Sequence, residues 1–69
     1  MQKWEYCRYD TIPPEITYFD ENASKREKPP KGDYALTVAR LGNQGWELVT
    51  AQVLGSQASS FFFKRVKQG

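Results

Sequence analysis

The sequence predicts an α+β fold: a single helix packed on one face of a three- to four-stranded, mainly antiparallel sheet, in the order β(β)αββ. Three observations carry that prediction. Aromatic and β-branched runs occupy both ends of the 69-residue chain, one 3.6-residue apolar periodicity lies between them, and glycine or proline punctuates the junctions. The length fits one small domain, residues 1–69, and excludes a deep, many-layered core. An apolar content of 39% is ordinary for a chain that folds.

The elements follow in order. Residues 3–12 (KWEYCRYDTI) are rich in β-favouring types and read as a strand, which Pro13-Pro14 ends. Ile16, Thr17, Tyr18 and Phe19 form a weaker β-like run that folds back on the first, although a diproline makes a poor tight hairpin turn. Residues 21–32 (ENASKREKPPKG) combine mixed charge with a second diproline and read as a flexible, solvated loop.

A helix follows, with Asp33 as its N-cap. Tyr34, Ala35, Val38, Ala39 and Leu41 fall on one face, Thr37 and Arg40 opposite, and Leu36 off the stripe. Gly42 is the expected left-handed C-terminal cap, and Gly45 lets the chain turn again. Residues 46–54 then read as a strand, 55–58 as a turn and 59–66 as the antiparallel partner.

Strand order is partly fixed by reach. A helix of about ten residues spans roughly 15 Å and returns the chain to the sheet end it left, so 46–54 runs parallel to 3–12. Placing 59–66 between them makes every pair antiparallel. That position also accounts for the consecutive Phe61, Phe62 and Phe63, because a strand covered on both faces loses its alternation.

Composition excludes several chemistries. With no histidine and a single cysteine, Cys7, neither an internal disulfide nor a Cys/His zinc site can be assembled within one chain. The usual acid/base at neutral pH is missing, and no carboxylate pair has the spacing of a shared site. The sequence therefore predicts no enzyme: no catalytic residue, no cofactor and no metal. Nothing approaches the ~18 apolar residues of a membrane span, and Met1-Gln2-Lys3-Trp4-Glu5 has no apolar signal-peptide core behind it, so the expected location is cytoplasmic. Net charge is −2 over residues 1–20, +1 over 21–33 and +3 over 34–69, too mild for an obligate polyanion binder.

Phe61 and Phe63 must point to one face of their strand and Phe62 to the other. One helix covers one face. Leaving several large apolar side chains in water would forfeit much of a small domain's stability margin, at about 1.5–3 kcal/mol each. The bare face needs a cover: residues 13–32, a second copy, another protein, or single-stranded nucleic acid.

The favoured expectation is a non-catalytic interaction module that forms a homo-oligomer, a dimer first, through an apolar sheet face or a strand edge. Its candidate interface residues are Trp4, Tyr6, Leu36, Trp46, Phe61, Phe62 and Phe63. The alternative is single-stranded nucleic-acid binding through Phe61, Phe62 and Phe63 with Lys64 and Arg65, and Lys67 nearby. It is disfavoured because the glycine-and-aromatic spacing of the RNA-recognition motif is missing. A small-ligand pocket between helix and sheet is a third reading.

Other features have blander readings. Gly42-Asn43-Gln44-Gly45 follows a helix and precedes a strand, the reverse of a phosphate loop, and reads as a structural turn. Cys7 lies mid-strand with Glu5 and Asp10 close in sequence, which favours a buried thiol over a reactive one. Trp4 and Trp46 read as core or interface anchors before a ligand platform, Glu47 as an outward carboxylate, and residues 25–31 as a solvated charge run.

The same landmarks carry a family likeness. Trp4-Glu5-Tyr6, the helix end LGxxGWELV (Leu41, Gly42, Gly45, Trp46, Glu47, Leu48, Val49) and the closing FFFKR (Phe61 to Arg65) together resemble a small bacterial family, domain of unknown function 4177. The resemblance implies a short cytoplasmic β-α-β-β domain, free or fused to other modules, and supplies no catalytic residue. The proline-bounded 13–32 segment departs from the family pattern.

Overall fold

The computed structural model describes residues 1–19, 24–29, 34–53, 55 and 58–67. Among them one helix, α1 (Tyr34–Asn43), packs on a five-stranded antiparallel sheet. Its strands are β1 (Trp4–Thr11), β2 (Pro14–Phe19), β3 (Lys25–Glu27), β4 (Glu47–Val53) and β5 (Ser59–Val66), in the spatial order β3-β2-β1-β5-β4. The class is α+β. β5 lies between β1 and β4 and is antiparallel to both, where the Phe run placed it. The centre of the sheet, however, is β1, because two further strands extend it on the far side.

Those strands correct the reading of residues 13–32. The segment's described residues extend the sheet sideways: β2 pairs with β1, and β3 pairs with β2. The diproline does make a tight turn. The Ile12-Pro13 peptide is cis, which puts Pro13 at the third position of a reversal that brings Thr11 opposite Pro14. β3 was invisible to pattern reading because Lys25-Arg26-Glu27 is polar throughout, as a short edge strand can be. Residues 20–23 and 30–33, including the expected N-cap Asp33, lie outside the described residues.

The helix differs in its face and in its end. Thr37 and Leu41 are buried and Val38 half-buried, while Ala35 and Ala39 are exposed. The inward stripe is thus Thr37, Val38 and Leu41, continued by the exposed Tyr34 only through its ring stacked on Phe61, with a threonine in a place where apolarity alone chose alanines. Gly42 is helical, and the left-handed residue is Gly45, at φ +92°. Gly45 N–H donates to the Gly42 carbonyl and Trp46 N–H to the Leu41 carbonyl, both at 3.0 Å. This Schellman arrangement brings Trp46 back beside Leu41.

The core forms where α1 meets β1, β2 and β5. Cys7, Tyr9, Ile16, Leu41, Trp46 and Phe63 are its buried members, with Tyr18, Val38 and Phe61 packed against them. Register explains the set. One row across the sheet reads Tyr18, Cys7, Phe63, and the next reads Ile16, Tyr9, Phe61.

Candidate functional site

Alternation along each strand sends the remaining side chains to the open face. Trp4 stands opposite Val66; Tyr6 lies between Phe19 and Lys64; Arg8 between Thr17 and Phe62; Asp10 between Glu15 and Ser60. Trp4, Tyr6 and Phe19 are exposed and Phe62 is half-buried. The face is amphiphilic. Lys64 Nζ sits 4.7 Å above the Trp4 ring and the Arg8 guanidinium 5.8 Å from the Phe19 ring, so aliphatic arms cover part of the aromatic surface. Arg8 Nε donates to Asp10 Oδ2 at 3.0 Å, and Ser60 Oγ donates to Asp10 Oδ1 at 2.5 Å.

The candidate residues divide accordingly. Phe63 and Trp46 belong to the core, so neither offers a surface, and Phe61 is half-buried in a stack between Tyr9 (5.8 Å) and Tyr34 (5.9 Å). Trp4, Tyr6 and Phe62 lie on the open face, and Leu36 is exposed on the helix. Lys64 and Arg65 point to opposite sides of β5. Arg65 is tied to the helix side: its Nε donates to Glu5 Oε1 at 2.5 Å, one terminal nitrogen donates to the Gln44 carbonyl at 2.9 Å, and its plane lies 4.2 Å from the Trp46 ring. It clamps the helix end to β1 and β5. Lys67 is exposed, its N–H extending the ladder to the Lys3 carbonyl.

Cys7 is fully buried, and burial pushes its thiol from an ordinary 9.0 to about 12, with Arg65 opposing and Glu5 adding to the rise. At neutral pH it is a protonated thiol. Burial, then Glu27, also raises the Tyr18 phenol. Among the described residues no group of three or more His, Cys, Asp or Glu side chains is placed to hold a metal, and no helix is long and apolar enough to cross a membrane. A cleft of about 320 Å³ is lined by Thr11, Ile12, Tyr34, Ser59 and Phe61 at the rim where the helix begins.

The sheet edges are the most asymmetric feature. β3 is three residues long, all charged. β4 is seven residues long, ELVTAQV, and every one is exposed, with Leu48 at 48%, Val49 at 55% and Val53 at 74%. Even its helix-side residues are bare. A register shift between Leu48 and Thr50 marks a β-bulge there. Sequence reading placed 59–66 between 3–12 and 46–54, which leaves 46–54 at an edge, but did not name Val49 or Val53 among the interface residues. Phe19, Arg8 and Arg26 of the open face were likewise passed over, although strand parity aligns Arg8 with Trp4 and Tyr6.

Comparison with family models, curated proteins and solved structures finds no match to this chain.

Proposed function

We propose that the protein is a non-catalytic interaction module whose docking element is the β4 edge, and that it pairs there with a second copy of itself. The observation that carries this is a seven-residue edge strand exposed along its whole length. Its outward N–H and C=O groups form a template for another strand, and apart from the bulge near its start it lacks the usual protections: no lysine, no proline, and one charge, Glu47, at its very start. A two-fold antiparallel pairing centred on Ala51 sets Thr50 opposite Gln52 and Val49 opposite Val53, with Glu47 beyond the paired stretch. No like charges meet.

Cross-strand pairs contribute about 0.2–1 kcal/mol each, so a single edge of this length gives a weak association that populates only at raised protein concentration. The alternative of single-strand nucleic-acid binding draws less support, because Phe63 is buried and Arg65 is committed to Glu5, Gln44 and Trp46. The test is solution mass across a concentration series. The wild type is expected to move from 8.0 kDa toward twice that value, and the Val49→Lys/Val53→Lys variant to stay at 8.0 kDa. A wild type that remains monomeric at high micromolar concentration would sink the proposal.

A further inference from the structure

One row of the open face runs Phe62, Arg8, Thr17, Arg26, with one residue from each of β5, β1, β2 and β3. Residues directly opposite on one face have Cβ atoms about 4.5–5.5 Å apart, so the two arginines flank Thr17 from both sides. Thr17 is only 4% exposed, yet its Oγ1 has no hydrogen-bond partner among the described residues. A buried hydroxyl left unsatisfied costs about 1–3 kcal/mol. Arg26 is exposed and makes no hydrogen bond or ion pair among the described residues. Arg8 is held at Nε by Asp10 with its guanidinium 5.8 Å from the Phe19 ring, and its terminal nitrogens make no hydrogen bond among the described residues. The acids Asp10 and Glu15 form the neighbouring row toward the turn, while Glu27 points to the helix side near Arg40.

We infer that Arg8, Thr17 and Arg26 form a binding site for a phosphate group. Arg8 and Arg26 flank Thr17 in one row of the open face, the Asp10 carboxylate engages only the Nε side of Arg8, and guanidinium matches phosphate bidentately. With the two arginine side chains drawn onto the phosphate and away from Thr17, a phosphate oxygen accepts a hydrogen bond from the Thr17 hydroxyl, which has no other partner among the described residues. The exposed rings of Tyr6 and Phe19 occupy the next row, where the organic body of a phosphate ester would lie.

The test is an NMR titration of the full chain with inorganic phosphate at constant ionic strength, read at the Thr17 amide and the Arg8 and Arg26 Nε–H signals. Saturable shifts are expected, weakened at least tenfold by Arg26→Gln, at least threefold by Thr17→Val, and not by Arg40→Gln, an exposed cation on the helix side. Shifts that rise linearly without saturation, or equal losses in Arg26→Gln and Arg40→Gln, would overturn the site. A second arm compares a nucleoside monophosphate with inorganic phosphate. Tighter binding with added shifts at Tyr6 and Phe19 assigns the site to an ester, and equal affinity assigns it to the free ion; either supports it. A nucleoside that binds as well as its monophosphate would refute it.

Discussion

The two edges of the sheet solve the same problem in opposite ways. β3 ends the sheet with three charged residues, short and water-loving on both faces, which is how natural sheets discourage pairing. β4 ends it with seven residues of which one is charged, all exposed. A chain able to blunt one edge has left the other open. The difference is what favours a strand edge for the proposed pairing, whereas the open face, where the apolar excess was expected, carries cations laid over its aromatic rings.

Perturbing the shared core should remove both edges together. Phe63→Ala, at the centre of the buried cluster, is expected to cost about 3–5 kcal/mol in a denaturant melt, enough to unfold much of a domain this small. High pH should act similarly. The Cys7 thiol is raised in the folded state, so its contribution is fully present below about pH 9, its unfolded value, and is lost as pH climbs toward 12. Tyr18 shifts in the same direction. Thermal melts from pH 8 to 11 should therefore fall steadily, and fall less steeply in Cys7→Ala, whose starting stability is lower.

Perturbing one edge should separate the two. Replacing Lys25, Arg26 and Glu27 by Thr, Val and Thr gives β3 the character of β4, and light scattering should then show species larger than a dimer. A continued stop at the dimer would mean that charge is not what blunts β3. Smaller effects test the turn that delivers the chain to β4. Gly45→Ala meets no atom within 4 Å, yet must adopt φ +92°, and should cost about 1–2 kcal/mol. Gly42→Ala, inside the helix with equally open space, should stabilise by about 0.5–1 kcal/mol.

The elements legible in the sequence were those whose pattern reports burial. The Phe run marked an interior strand, and the glycine-bounded apolar stretch marked the helix to within two residues at its end. What escaped was whatever burial does not govern. β3 is wet on both faces and has no hydrophobic period to detect. Thr37 is buried although polar, while Ala35 and Ala39 are exposed although apolar, so counting apolar residues rotated the helix face. The edge position of β4 followed from placing the Phe strand between 3–12 and 46–54, whereas the exposure of both its faces is a packing outcome that no local run encodes. Trp46 and Phe63 looked like anchors for a partner because large aromatics serve cores and interfaces alike; the Schellman turn put one beneath the helix, and strand parity put the other there.

Amide hydrogen exchange at two protein concentrations tests the central claim most directly. If β4 pairs with a second copy, alternate backbone amides between Leu48 and Val53 gain protection as concentration rises from nanomolar to high micromolar, while those of Lys25–Glu27 do not change. Unchanged, fast exchange along β4 at every concentration would contradict it.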